Sequence, residues 1–221
     1  MARRGEAGMA AGSMRSRILE ASMALLEEQG VAGLSMREVA RRAGVSHQAP
    51  YHEFPDRESI LAALVADGFD DLAKRLRTAL DAIPARDSAE AIRSGGLAYV
   101  EFALARPGIF AVMFRREMVD HGRFPAVLEA GRRAYAELER VAEITGVRGS
   151  SEQRAAVLWS FVHGLATLLV EGKLTASDSA PARRIATAAE LIRVYAETAA
   201  GSPAAAPKAG RRGGRKAARD G

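Results

Sequence analysis

The sequence predicts an all-α protein, and three observations carry that reading. From residue 14 to residue 200, apolar side chains recur every three or four positions, the period of a helix with a buried face. The breaks between these runs hold residues that start and stop helices: Ser13, Ser35, Ser46, Asp56 and Ser88 before a run, Gly30, Gly44, Pro84 and Pro107-Gly108 after one. No period-two alternation competes with this pattern, and no segment repeats. The expected architecture has about nine helices, with an N-terminal three-helix head and a helical C-terminal domain.

Residues 1–13 are small and polar, carry Arg3 and Arg4, and read as a disordered basic arm; they lack the apolar centre of a signal peptide. Ser13 caps a first helix over 14–29, with Ile18, Ala21, Leu25 and Leu26 in one stripe and Gly30 at its end. Ser35-Met36-Arg37-Glu38 reads as a capping box, in which the serine hydroxyl takes the amide of Glu38 and Glu38 reaches back. Met36, Val39, Ala40 and Ala43 then share a face, and Gly44 suits the left-handed turn that ends a helix. Val45 fills the angle, and Ser46 is a ready N-cap for a second short helix. A capped helix, a glycine turn and a second short helix make a helix-turn-helix, which completes a head over 14–60. Asp56 caps the connecting helix over 61–84, whose Leu61, Leu64, Val65, Phe69, Leu72 and Leu76 fall on one side and which Pro84 closes.

The remaining domain spans 85–200. Ser88 starts a helix that runs to Arg106, and its Gly95-Gly96 pair costs about 1 kcal/mol per glycine relative to alanine, which points to a kink or to close helix packing. A short apolar helix follows Pro107-Gly108, Phe124-Pro125 opens another, Ser150 or Ser151 the next, and Pro181 the last. In the final pair, Leu158, Val162, Leu165 and Leu169 form one stripe, with Trp159, His163, Ala166 and Val170 beside it. Ile185, Ala188, Ala189 and Ile192 mark the last helix. A helix with two apolar stripes needs two partners. The expectation is a homodimer interface over Leu158, Val162, Leu165, Leu169, Ile185, Ala188, Ala189 and Ile192; a deeply buried monomer core is the competing reading. The apolar run 158–170 is too short to span a bilayer, so no membrane partner is expected.

At 221 residues, 48% hydrophobic and 27% charged, the composition is that of an ordinary globular chain. The absence of cysteine excludes disulfides and thiolate metal sites and fits a reducing cytoplasm. The net charge of +5 is concentrated in residues 201–221, read as a disordered basic tail. That tail holds six of the 32 basic side chains and one of the 27 acidic ones, so the rest is balanced, 26 against 26.

In a helix-turn-helix, the N-terminal part of the second helix enters the major groove of double-stranded DNA. Here that part carries Ser46, His47, Gln48, Ala49, Pro50, Tyr51 and His52. Gln48 has the donor–acceptor pair for adenine, Ala49 suits a thymine methyl, and His47 and His52 offer ring nitrogens. The competing reading leaves these residues as a solvated polar surface. Ala43-Gly44-Val45-Ser46, Tyr51, Phe54 and Asp56-Arg57-Glu58 in this order resemble the tetracycline-repressor (TetR) family of bacterial transcription regulators, over residues 14–70. The resemblance implies phosphate contacts from Ser35, Tyr51 and Arg57 and a guanine contact from Arg37. Glu53 departs from the family, which often has histidine there, and a carboxylate repels phosphate.

Trp159, His163 and Gly164 in the C-terminal domain, with Arg106-Pro107-Gly108-Ile109-Phe110 and Met113-Phe114, resemble a subclass of that family called the WHG domain, over 88–195. The resemblance implies a small apolar effector, in a pocket formed by Phe102, Phe110, Met113, Phe114, Phe124 and Trp159 with His163 as its polar handle. The same residues at helical spacing also fit plain core. An enzyme is not expected, because no Gly-x-Ser-x-Gly, P-loop or His-Glu-x-x-His occurs and the four histidines form no convincing pair. No cofactor or metal is called for. The expectation is a dimeric repressor in the cytoplasm, on the nucleoid, released from a palindromic operator by its effector. The alternative is an architectural nucleoid protein driven by its tail.

Because residues 14–60 are close to charge-neutral, the tail is expected to supply sequence-independent attraction through counterion release. A truncation ending at Gly201 should flatten the salt dependence of DNA affinity, measured by fluorescence anisotropy. An unchanged slope would rule this role out.

Overall fold

The computed structural model describes residues 13–83, 87–145, 149–175 and 180–200, which form nine α-helices and no strand. The arm before Ser13, the stop expected at Pro84, and the tail from 201 lie outside the described residues. The head comprises α1 (Met14–Gly33), α2 (Met36–Ala43) and α3 (Ala49–Glu53). The connector is α4 (Arg57–Asp81), and the body adds α5 (Ser88–Ala105), α6 (Pro107–Met113), α7 (Pro125–Thr145), α8 (Ser151–Val170) and α9 (Pro181–Ala200).

Local chemistry sets the helix ends. The Ser13 hydroxyl accepts from the Ser16 amide, and Gly30 breaks α1 with φ +67°, leaving one short turn to Gly33. Ser35 accepts from the Glu38 amide at 3.2 Å. The expected return bond from Glu38 is replaced, because its carboxylate pairs with Arg41 one turn on, and a bidentate ionic pair outcompetes one bond to a neutral amide. Gly44 sits at φ +63°, where Val45 N–H reaches back to the Ala40 carbonyl at 3.0 Å. Ser46 does not cap α3. Its carbonyl accepts from Ala49 N–H at 3.0 Å, Gln48 takes the cap position, and Pro50 occupies the first turn, where its missing N–H has no partner to lose.

In the body, α4 and α7 run parallel, because their ion pairs ascend together: Asp70 with Arg133, Arg77 with Glu137, Asp81 with Arg140. Glu137 is buried and held between Arg77 and Arg140, which compensates its charge. The exposed pairs each contribute at most about 1 kcal/mol. Asp87, not Ser88, caps α5; the Ser88 hydroxyl instead donates to the Ile144 carbonyl at the end of α7. Gly95 and Gly96 mark close packing without a break in α5. A Cβ on Gly95 would lie 3.2 Å from Val141 of α7, and one on Gly96 would lie 3.1 Å from Ile192 of α9. Ser150 starts α8 with a complete capping box.

The faces of α8 and α9 correct the expected interface. Leu158, Val162, Leu165, Leu169, Ala188 and Ile192 are buried within this chain, and Ile185 is half-buried. Of the expected set only Ala189 is exposed. The apolar side chains left outside are others: Val157, Leu168, Leu191 and Val194. The strongest stripes were drawn into the chain's own core, where apolar area removed from water is largest. By length and composition all 20 residues of α8 reach the range of a membrane span, beyond the 158–170 run, yet its core face packs on α5 and α7.

Head and body meet where α1 carries the start of α6. The Glu27 carboxylate accepts from Gly108 N–H at 2.6 Å and Ile109 N–H at 3.2 Å, which satisfies two unpaired amides of the helix start. A Cβ on Gly108 would stand 2.6 Å from the Leu26 carbonyl oxygen and 2.9 Å from Glu27 Cα. Gly108→Ala should therefore destabilise the protein by about 1–3 kcal/mol, although alanine favours a helix by about 1 kcal/mol. Urea unfolding reads the sign, and a stabilised variant would refute the close contact.

Candidate nucleic-acid interface and interior cavity

The helix-turn-helix is fixed from behind, which leaves one polar face outward. Arg17 of α1 donates to the Ala43 carbonyl at 2.7 Å and the Gly44 carbonyl at 3.2 Å, pinning the turn. Arg42 pairs with Glu28, and Arg15 donates to the Glu53 carbonyl while lying 4.2 Å from the Phe54 ring centre. Neither Arg15 nor Arg17 carried a signal in the sequence, because their partners are backbone carbonyls distant along the chain.

Ser46, His47, Gln48, Tyr51 and His52 are all exposed, with Tyr51 at 45% and its ring centre 6.1 Å from that of His47. Arg37 is exposed on α2 and makes no ion pair with any described residue, whereas Arg41 is neutralised by Glu38. Ser35 is exposed at the start of α2, its oxygen occupied by the Glu38 amide and its proton available. Arg57 is exposed but donates to the Val31 carbonyl, so part of its guanidinium serves the junction of α1 and α4. Ala49 departs from expectation: it is 8% exposed and packs into the head, since the late start of α3 turns its methyl inward.

Within the body lies a cavity of about 220 Å³. Phe69 and Leu72 of α4, Tyr99 of α5, Met113 and Phe114 at the end of α6, Trp159 of α8 and four residues of α7 (Gly131, Ala134, Tyr135, Leu138) form its wall. Arg116 and His121, from the segment joining α6 to α7, complete it. Met113, Phe114 and Trp159 of the expected pocket are present. Phe102, Phe110 and His163 are not in the wall. Phe102 is fully buried core, Phe110 packs against the His163 ring at 5.3 Å, and Phe124 lies outside under the Arg123 guanidinium, 4.8 Å from its ring centre.

His163 stands one layer behind. Its Nδ1 is 3.0 Å from the Tyr99 hydroxyl, which also accepts from Trp159 Nε1 at 3.4 Å. Burial pushes the His163 ring below its ordinary range and the Tyr99 phenol above its own, so both are neutral at pH 7. The trio holds Trp159 and Tyr99 in place as wall.

The α6–α7 segment also grips the start of α4. Arg123 pairs with Asp56, the N-cap of α4, and with Glu58, while the Asp120 amide donates to Glu58 at 3.1 Å. The Arg123 guanidinium, then the Ser59 bonds, hold the Asp56 carboxyl down at about 2.

Two family models match this chain, one described as bacterial regulatory proteins of the tetR family over residues 18–64, the other as the tetracyclin repressor-like C-terminal domain over 92–195. The chain belongs to the TetR family. It is thus a transcriptional regulator of the TetR type. It is similar to the HTH-type transcriptional regulator Rv0681 of Mycobacterium tuberculosis, 27% identical over 166 residues, covering 75% of this chain and 74% of the relative. It also resembles the regulator Rv1816 of the same organism, 28% identical over 101 residues, covering 46% of this chain and 43% of the relative. The chain thus spans less than half the length of the first curated relatives it matches. A protein of unknown function from Rhodococcus sp. RHA1 has the same fold with TM-score 0.70 and 32% identity, covering 86% of this chain and 98% of that one. A tetR-family regulatory protein from Rhodococcus RHA1 aligns with TM-score 0.64 at 18% identity, covering 83% and 97%, which extends the likeness in fold alone.

A lowered folded-state pKa means that Asp56 adds stability above the unfolded value near pH 4, and that this stability disappears as pH falls through about 2. Asp56→Asn keeps a capping oxygen and loses the charge. Its deficit against the parent should be full at pH 7 and close progressively below about pH 4, as followed by circular dichroism in urea. A deficit independent of pH would remove the Arg123 pair as its cause.

Proposed function

We propose that this TetR regulator is a homodimeric repressor that occupies a two-fold symmetric operator and leaves it when a small apolar molecule fills the cavity between α4 and α7. The observation that supports this most is shared construction. Phe69 and Leu72 of the cavity wall belong to α4, whose first turn is tied to the head by Arg57 and to the α6–α7 segment by Asp56 and Glu58. Arg116 and His121 of the wall belong to the segment that grips the same turn through Arg123. A guest that favours a different tilt of α4 shifts the population of head orientations, and no other connection is required.

On this reading Gln48 reads adenine and Arg37 guanine, Ser35, Tyr51 and Arg57 take phosphates, and Ser46, His47 and His52 complete the groove contact. The partner protomer covers the outer face of α8 and α9. Val157 and Leu168 are exposed there, Gly164 has open space above it, and Phe161 stacks on Tyr195 at 3.9 Å beside Leu191 and Val194. Such a two-fold dimer presents two heads to two half-sites. The protein works in the cytoplasm, on the nucleoid.

Selection from a random duplex library with the full chain tests this. A two-fold symmetric motif is expected, with affinity for it reduced at least about tenfold in a Gln48→Ala, Tyr51→Ala double variant. Tight, salt-sensitive binding with no enriched motif would favour the architectural alternative instead.

A further inference from the structure

Besides the hydroxyls of Tyr99 and Tyr135 and the indole of Trp159, the polar groups of the cavity wall are two basic side chains. Arg116 brings a guanidinium that makes no ion pair with any described residue, and His121 brings an imidazole. Burial, then the Arg116 charge, lowers the basicity of that imidazole, so it stands neutral with one N–H to donate. Among the described residues no carboxylate lines the space. A cation at an apolar wall that pairs with no described residue is the complement of an anion, and a guanidinium takes a carboxylate in two parallel bonds.

Half of the rest of the wall is aromatic, and the other half is Leu72, Met113, Gly131, Ala134 and Leu138. Phe69 and Phe114 meet edge to face at 5.5 Å, and Tyr135 and Trp159 do so at 6.2 Å. A further ring extends that pattern with favourable contacts. At interior packing density, the space holds on the order of ten non-hydrogen atoms.

We infer that the cavity takes an aryl carboxylic acid, its ring among Phe69, Phe114, Tyr135 and Trp159 and its carboxylate at Arg116 and His121. The inference rests on the effector site proposed above and names its ligand class. The acid engages the same segment that holds Asp56 and Glu58 through Arg123, so the anionic end and the apolar end reach α4 by separate routes.

The chain has one tryptophan, so Trp159 emission reports on this wall directly. The full-length protein is titrated with benzoate, phenylacetate and 3-phenylpropanoate, with the three matching primary amides, and with toluene. At least one acid should quench saturably, and its amide should bind at least about tenfold more weakly. Arg116→Gln should erase that difference without changing the unfolding midpoint, since Arg116 is exposed and bridges no described residue. Gly131→Leu, which adds bulk from α7, should abolish the response to acid. Equal affinity for acid and amide, or an acid response that survives Arg116→Gln, overturns the inference. Toluene binding without any response to the acids overturns it and leaves the apolar effector site standing. No response to any probe overturns both.

Discussion

The structure depends on the contact between α1 and the start of α6. Pro107 presets the first turn, Gly108 lets two backbones meet without a Cβ between them, and Glu27 neutralises the exposed amides. Together they fix a bend of 108° between α5 and α6. That bend directs Ile109 and Met113 against Gly68 of α4, where each comes within 3.0 Å of the place a Cβ would take. The floor of the cavity and the axis of α4 are thus set by one carboxylate and two glycines. The head is part of the same rigid build, since Glu27 belongs to the helix that also carries Arg15 and Arg17.

Helices were legible in the sequence because their determinants are local. Ser13, Ser35, Asp56, Gly30 and Gly44 do in the structure what their chemistry and spacing imply. Misreadings at this level came from close competition. Asp87 precedes Ser88, and a carboxylate one residue earlier took the cap. Pro50 pushed the start of α3 past Ser46, and that shift of register is what buried Ala49. Glu38 had two partners within reach and went to the charged one.

Faces were harder to read than helices. Periodicity says that α8 has apolar stripes but not which stripe meets its own chain. Leu158, Leu165, Leu169 and Val162 went inward, while the outer face kept Val157, Ser160, Phe161, Gly164 and Leu168, a mixture with little contrast in hydropathy. The cavity shows the same limit. Met113, Phe114 and Trp159 were recognisable as a cluster, but Tyr99, Phe69 and Tyr135 reach it from three other helices. Arg116 and His121 come from a segment without periodicity at all. Long-range convergence leaves no mark on local spacing, and His163 was misplaced for the same reason: its position on the Trp159 face is right, its depth was unknowable.

How occupancy of so small a space can matter to a distant head follows from where the protein is stiff. Packed cores deform little, so the compliant element is the one with a void beside it. Here that element is α4 against α7. Apart from Glu137, the ion pairs between them are exposed and individually weak, so a small slide costs little. The buried Glu137, held by Arg77 and Arg140, resists separation and acts as a pivot. On the head side of that pivot, Asp70 with Arg133 and Asp56 and Glu58 with Arg123 hold the near ends together. Phe69 and Gly131 of the cavity wall lie on the same side. On the proposed function, a guest that spreads this side about Glu137 moves the turn that carries Asp56, and with it the face bearing Gln48 and Tyr51, without unpacking the core.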